Sequence, residues 1–163
     1  MPAGALVALS FGLFLYQRRV SRQLAASAEA LREREGALSQ AQQLAHLGNW
    51  SWHRDKGALQ WSDEMRRLHD VPAGQDVSRD AFLHAVHADD RHALAMRLDA
   101  ALQTGQAFEL EYRLVQAQGD ARWVHHRAEA QGGDPTRVLG TVLDITQRKR
   151  AEALQRGQSD LLE

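Results

Sequence analysis

The sequence predicts an α+β domain, in which a five-stranded antiparallel sheet carries helices on one face. The clearest evidence is the segment 108–116, where apolar and charged residues alternate. Alternation with a period of two is typical of a strand that buries one face. Glycine-containing turns at 118–120 and 132–135 divide the following residues into two further strands, 121–130 and 137–145. These three strands form a meander.

The first two strands are predicted at 49–54 and 58–62, on either side of the turn Asp55-Lys56-Gly57. Helix-forming sequence fills the interval between this hairpin and the meander. The predicted helices are 63–70, 78–86 and 89–104. The element order is therefore two strands, three helices and three strands, with further helix-forming sequence before and after.

The chain starts with an apolar segment, residues 3–16, that carries no charge. An arginine cluster follows it at Arg18, Arg19 and Arg22. A helix of this length reaches about 21 Å, whereas the hydrocarbon core of a bilayer is roughly 30 Å thick. We interpret residues 1–16 as the remnant of a transmembrane helix that starts upstream, with the arginines on the cytoplasmic side. A signal-peptide core and a buried core helix are the alternatives.

Residues 17–46 predict a helical linker, because they are rich in strong helix formers and contain no proline. Apolar residues recur there every seven positions. These residues are Leu24, Leu31, Leu38 and Ala45. The companion core positions of the heptad are half filled, since Glu35 and Gln42 occupy two of them. The segment fits a weak parallel coiled coil, and it also fits a single helix that lies on the next domain. A solvated helical spacer is an equally good interpretation.

Composition argues against several classes of function. The 163 residues include no cysteine, so a disulfide, a thiolate zinc site, an iron–sulfur cluster and a cysteinyl flavin adduct are excluded. The formal net charge of −1 argues against nucleic-acid binding. His84 and His87 have metal-ligand spacing, but a predicted helix break separates them. We therefore predict no metal site, and in the absence of a nucleophile or phosphate-loop motif we predict no catalytic residue.

Five collinear motifs resemble the PAS family of sensor domains, over about residues 40–152. They are Leu47–Trp52, Trp61–Glu64, Val86–Arg91, Arg122–Val124 and Gly140–Glu152. The third is similar to the family's H-P-D-D-R helix entry, with Ala88 in place of the proline. The residues assigned to structural motifs are Trp61, His87, Asp89, Asp90, Arg91 and Trp123. The resemblance implies a PAS fold at 47–146, with a connecting helix at 147–163.

The triplet Asp144-Ile145-Thr146 resembles the point at which a PAS domain passes from its last strand into a signalling helix. The Asp144 carboxylate can cap amides of the following turn, and the Thr146 hydroxyl can do likewise. Such caps would fix the angle at which the helix leaves the sheet. A shift of the sheet would then become a movement of the helix.

Three residues are candidates for a ligand pocket between the sheet and the helices. If Val124 points inward, His126 does too, because residues two apart share a face of a strand, and Tyr112 lies on the apolar face of its own strand. A hydrogen-bonded structural histidine is the alternative for His126. The tryptophans at 50, 52 and 61 are expected to pair across the first hairpin, under the preceding helix or a second subunit.

The resemblance implies a non-catalytic sensing or relay module of a bacterial signalling protein, such as a histidine kinase of a two-component system or a cyclic-di-GMP enzyme. No cofactor is predicted, and an unidentified small ligand is allowed. The expected partners are a second copy, through the linker and the sheet face, a downstream output domain and the membrane. We expect the module on the cytoplasmic side of the cytoplasmic membrane. The alternatives are a purely structural dimerisation module and a haem- or flavin-binding sensor.

Overall fold

The computed structural model describes residues 3–115, 119 and 121–159. The chain divides between Gln40 and Ala41 into two compact units. Most of helix α1, which covers Ala3–Leu44, belongs to the first unit. The change from apolar to polar sequence after residue 16 does not interrupt this helix. Within the described part of the chain, no helix has both the length and the apolar character needed to cross a membrane.

The second unit contains a five-stranded antiparallel sheet in the order β2-β1-β5-β4-β3. Its strands are β1 (Leu47–His53), β2 (Ala58–Trp61), β3 (Phe108–Val115), β4 (Ala121–Gln131) and β5 (Asp134–Asp144). The helices between β2 and β3 are α2 (Asp63–Leu68), α3 (Arg79–His84) and α4 (Ala88–Thr104), and α5 (Thr146–Ser159) follows β5. The predicted α+β fold and its element order are confirmed.

Local chemistry explains where these elements begin and end. Ser62 starts α2, because its hydroxyl accepts a hydrogen bond from the Met65 amide at 3.2 Å. The same hydroxyl accepts one from the Asn49 amide at 3.0 Å, which ties the helix start to β1. Gly105 ends α4 with a φ of 72°, a left-handed conformation that glycine adopts without strain.

The core lies between one face of the sheet and helices α2, α3 and α4. The alternation in β3 points Phe108, Tyr112 and Leu114 into this core and leaves Glu109 exposed, as predicted. The helices contribute a second set of buried side chains. These include Met65, Leu68, Phe82, Leu94, Leu98 and Ala101. These side chains form one buried cluster with the inward-pointing residues of the sheet.

The tryptophans of the first hairpin belong to this core. Trp50 and Trp61 are partners in the β1–β2 register, so the predicted cross-strand pairing is confirmed. The expected cover by the preceding helix or a second subunit is wrong for these two rings. Phe82 of α3 covers them instead, with ring centres 5.2 Å from Trp50 and 4.7 Å from Trp61.

Candidate functional site

His126 lies at the centre of the core and has no exposed surface. The indole Nε1 of Trp50 donates a hydrogen bond to its Nε2 at 2.8 Å. Because Nε2 accepts, the proton of the neutral ring is on Nδ1, which lies 3.1 Å from the Tyr112 hydroxyl and donates to it. Burial lowers the pKa of His126 to about 3, so the ring is neutral at physiological pH.

Aromatic rings fill the space around this histidine. Phe82 stacks on it with an interplanar angle of 15°, and the Phe108 ring approaches with its centre 4.8 Å away. Phe82, Tyr112, Val124 and His126 have no exposed surface, so no cavity the size of a water molecule adjoins them. The structure thus places all three predicted pocket residues on the inner face, in a closely packed interior. Their role in ligand binding stays a prediction.

The sequence predicted Trp50 as a member of the cross-hairpin tryptophan pairs, but not its hydrogen bond to His126. The strand partner of Trp50 on β5 is Gly140, and a Cβ at Gly140 would overlap the indole ring. A glycine inside a strand often marks such a close approach. The presence of Gly140 within a predicted strand was therefore a sign that another group packs closely against the backbone there. Only the pairing register of β1 and β5 shows that this group is the side chain of Trp50.

A second buried histidine, His69, lies at the end of α2. Its Nδ1 is 3.1 Å from the Met65 carbonyl oxygen and donates to it. Burial lowers the pKa of His69 to about 4, so this ring is neutral as well. Among the described residues, neither its Nε2 nor the Nε1 of Trp61 has a hydrogen-bond partner, although both atoms are buried. The two rings are 5.0 Å apart.

The motif at the start of α4 fastens this helix to β3. His87 caps the helix, because its Nδ1 accepts from the Asp89 amide at 3.2 Å. Asp90 binds the Arg113 guanidinium through both oxygens, at 2.8 and 2.9 Å, and the hydrogen bonds from Arg113 lower the pKa of Asp90. Arg91 donates to the carbonyl of Val86 at 3.0 Å.

The triplet 144–146 joins the sheet to α5. Oδ1 of Asp144 accepts from the Thr146 amide at 2.9 Å, so the predicted carboxylate cap is confirmed. The prediction for the Thr146 hydroxyl is wrong, because it accepts from the Trp123 amide of β4 at 3.0 Å instead of capping the next turn. Ile145 is buried, and its amide donates to the carbonyl of Trp123 at 2.8 Å.

Side chains add a further attachment, which we name the exit-helix contact and which consists of Glu111, Trp123, Arg148 and Lys149. Glu111 on β3 forms ion pairs with Arg148 and with Lys149 of α5, the latter at 2.6 Å. Its pKa is lowered by the hydrogen bond from Lys149 and, to a smaller extent, by that from Arg148. The Lys149 ammonium also lies 5.0 Å from the centre of the Trp123 ring.

The described residues contain no group of three or more histidine, cysteine, aspartate or glutamate side chains that could hold a metal ion. His125 faces the outer side of the sheet and pairs with Glu109 at 2.6 Å, away from His126. Adjacent strand residues point to opposite faces, which explains why the two neighbouring histidines do not act together.

A family model described as the PAS fold matches residues 58–142, which is more than half of the chain. This chain belongs to the PAS family. A blue-light-activated histidine kinase from Brucella anthropi is 35% identical over 111 residues, which cover 68% of this chain and 23% of that protein. The PAS chain thus spans about a quarter of the length of the curated relatives it matches.

Solved structures agree with this PAS assignment. A sensory box histidine kinase/response regulator from Burkholderia thailandensis has a TM-score of 0.53 and 27% identity, over 77% of this chain and 96% of that one. The N-terminal domain of a diguanylate cyclase with a PAS/PAC sensor, from Marinobacter aquaeolei, has a TM-score of 0.53 and 17% identity, over 63% of this chain and 98% of that one. The second likeness concerns the fold alone. The sequence-based recognition of a PAS domain is confirmed.

Proposed function

We propose that this PAS chain is the non-catalytic sensing or relay part of a bacterial signalling protein, and that it passes changes in its sheet to α5 and an output domain. The two named relatives that are more than 25% identical to this chain are histidine kinases, which supports a kinase output over a cyclic-di-GMP enzyme. The observation that carries the proposal is the attachment of α5 to β3 and β4 through backbone, hydroxyl and ionic contacts.

The contacts suggest how the relay works. Glu111 and Trp123 belong to adjacent strands, and both hold the first turn of α5. A change in the twist of β3 against β4 would move these two anchors relative to each other, so that α5 tilts or loses one of them. A ligand or partner drives such a change only by its difference in affinity for the two arrangements.

The test compares Glu111→Gln with Glu109→Gln, two positions away on the same outer face of β3. Glu109 pairs with His125 and does not contact α5. We expect Glu111→Gln to speed amide hydrogen exchange in residues 147–152 and to change the autophosphorylation of the full-length parent kinase. Glu109→Gln should change neither. Equal behaviour of the two variants in both measurements would exclude the relay role of α5.

A homodimer is a further part of the proposal. Leu24, Leu31 and Leu38, spaced at seven residues on α1, are more than half exposed in the single chain, and Leu139 is exposed on the sheet. A second copy would cover these side chains. Light scattering on the chain and on Leu31→Glu tests this, because the charge should dissociate a dimer formed through α1. A dimer without any ligand in native mass spectrometry would favour the purely structural alternative.

The relative from Brucella anthropi is described as activated by blue light, so a chromophore has to be considered for this chain. The residues of the described core do not fit a flavin or haem, since Trp50, Phe82, Tyr112 and His126 already fill the space between sheet and helices. We therefore propose that this core binds neither group. A visible absorption band in the purified protein would contradict this part of the proposal.

We also propose that the apolar start of the chain attaches the parent protein to the cytoplasmic membrane, with the PAS domain on the cytoplasmic side. The uncharged segment and its arginine flank support this placement. Fractionation of cells that express the full-length parent tests it. Recovery of the parent in the soluble fraction would contradict membrane attachment.

A further inference from the structure

Three arginines of α1, Arg18, Arg19 and Arg22, carry positive charge that no nearby carboxylate of the helix balances. Residues 1–17 contain no aspartate or glutamate, and the first acidic residue after the arginines is Glu29. Glu29 is seven positions past Arg22, beyond the spacings of three and four at which helical side chains pair. Arg18 and Arg22 are four positions apart, where like charges repel each other. An anion bound at these residues would offset this repulsion.

The three arginines share one face of α1, which we name the arginine face. Residues three and four positions apart are neighbours on a helix, so Arg22 lies next to both Arg18 and Arg19. All three side chains are exposed in the single chain. A shallow groove follows this face and is lined by Leu15, Arg18, Arg19, Arg22, Gln23 and Ala26. The arginine face therefore presents three neighbouring guanidinium groups along one groove.

Apolar side chains continue the arginine face toward the start of α1. Leu15 precedes Arg19 by four positions, and Phe11 precedes Leu15 by four, so they follow one another along this face. The Phe14 ring has its centre 5.4 Å from the guanidinium carbon of Arg18. Phe11, Phe14 and Leu15 are 61%, 51% and 49% exposed. Along the helix axis, the face is thus apolar at one end and cationic at the other.

The arginine face is not the one proposed for a homodimer. With a helical turn of about 100° per residue, Leu24, Leu31 and Leu38 lie about 170° around α1 from the centre of the arginine face. A parallel dimer formed through these leucines would leave the arginines uncovered. A second copy therefore does not account for the charge on this face.

We infer that the arginine face binds an anionic phospholipid, with the headgroup phosphate at the three arginines and an acyl chain along Phe11 and Leu15. The inference rests on the proposed membrane attachment and deepens it by naming the class of lipid. Guanidinium groups bind phosphate oxygens through paired hydrogen bonds. A phospholipid matches both ends of the face, whereas a nucleic acid would supply phosphates without an apolar chain.

The test measures how the full chain distributes between solution and lipid vesicles. Vesicles of phosphatidylcholine alone are compared with vesicles made of equal parts of phosphatidylcholine and phosphatidylglycerol. We expect binding to the mixed vesicles to be about one hundredfold tighter, because each arginine near an anionic surface tightens binding by about a factor of five. Added salt should reduce this preference, since it screens the charges.

Variants assign the preference to the arginine face. Arg18→Gln, Arg19→Gln and Arg22→Gln combined in one chain should abolish the preference for the mixed vesicles. Glutamine is a strong helix former, so α1 should remain intact. The matched control combines Arg32→Gln with Arg34→Gln, which removes two arginines that lie among the three glutamates of residues 29–35. This control should keep the preference.

The apolar end has a variant of its own. Phe11→Gln should weaken binding to both kinds of vesicle by a similar factor, because it removes apolar contact and no charge. Equal binding of the wild type to both kinds of vesicle would overturn the inference and leave membrane attachment in place, whereas binding to neither would contradict both. An unchanged preference in the triple variant, or unchanged binding of Phe11→Gln, would also overturn it. Tighter binding to a short RNA than to the mixed vesicles would assign the arginines to nucleic acid instead.

Discussion

Trp50 and His126, 76 positions apart in the chain, are joined inside the core by a hydrogen bond of 2.8 Å from the indole Nε1 to the imidazole Nε2. The bond connects β1 with β4, which are not neighbours in the sheet, since β5 lies between them. It crosses β5 at Gly140, where a Cβ would overlap the indole ring. The bond therefore depends on the correct pairing of three strands.

Removal of either partner should destabilise the fold. We expect Trp50→Phe to lower the free energy of unfolding by about 2–4 kcal/mol, because it leaves Nε2 of His126 buried without a donor and reduces packing. Trp61→Phe is the matched control, since its buried indole N–H has no protein partner to lose. In urea denaturation, Trp61→Phe should lower the free energy of unfolding by about 1–2 kcal/mol less than Trp50→Phe does, because one such hydrogen bond contributes about that amount. Equal costs would show that the Trp50–His126 bond contributes nothing.

Gly140→Ala should be more disruptive than most single changes. A methyl group at this position would overlap the Trp50 ring, and the ring cannot move without breaking its bond to His126. We expect a loss of about 3 kcal/mol or more in thermal or urea unfolding. Gly36→Ala, in α1 with no atom near the added methyl, should instead be neutral or stabilise by up to about 1 kcal/mol.

A rescue variant keeps the Gly140 prediction decisive if the single change does not fold. Gly140→Ala combined with Trp50→Leu removes the overlapping ring, so the pair should be less destabilised than the sum of the two single changes. Additive costs would mean that the close approach of Trp50 does not limit position 140.

The sheet and its inner face followed from local patterns. Strand β3 alternates because only one of its faces is buried, and the same parity places Val124 and His126 on the inner face of β4. The cap by Asp144 was also predictable, since it joins groups two residues apart. In each case, the interaction depends on residues that are close in sequence.

The missed features depend on the register of distant elements. The Thr146 hydroxyl binds Trp123, 23 positions away, because β4 begins beside the start of α5. Glu111 meets Lys149 only after β3 and α5 are in place. No local pattern marks His69 as buried, since it follows a short helix that contains four charged residues. It becomes buried only under Trp61 and Phe82.

The two buried histidines predict a loss of stability in mild acid. His69 and His126 are neutral when folded, with pKa values lowered to about 4 and about 3, and regain a pKa near 6.5 when the chain unfolds. Their contribution to the free energy of unfolding is complete above pH 6.5. It falls as the pH drops toward 4, because the unfolded state then binds more protons than the folded state. At pH 5 the loss is about 2 kcal/mol for each histidine.

The pH window separates the histidines from the carboxylates. Asp90 and Glu111 have lowered pKa values when folded, so their contribution is lost only below their unfolded values of 3.8 and 4.5. Urea denaturation between pH 7 and 5 measures how steeply the free energy of unfolding falls with pH. For His69→Phe, this slope should be about half that of the wild type. His92→Gln, at an exposed position of α4, should keep the wild-type slope. A wild-type slope in His69→Phe would contradict the prediction.

Asp89 and Asp90 are adjacent, but they should differ sharply in how much they contribute to the stability of the fold. Asp90 receives three hydrogen bonds from Arg113 and is mostly buried, whereas Asp89 is 76% exposed and 3.7 Å from the same guanidinium. We expect Asp90→Asn to cost about 1–3 kcal/mol and Asp89→Asn less than about 0.5 kcal/mol in urea denaturation. A cost for Asp89→Asn as large as that for Asp90→Asn would contradict the role of Asp90 in fastening α4 to β3.

Asp144→Ala should loosen the start of α5 without unfolding the domain. The change removes the acceptor of the Thr146 amide, and a lost cap of this kind typically costs about 1 kcal/mol. Ile145 remains buried and its amide still binds Trp123, so the sheet should hold the strand end in place. Circular dichroism should show a folded protein, while hydrogen exchange rises in the first turn of α5 and the output of the full-length parent changes. Faster exchange at the start of α5 with an unchanged output and a normal signal response would show that the cap is structural only, and that Asp144 has no part in the relay.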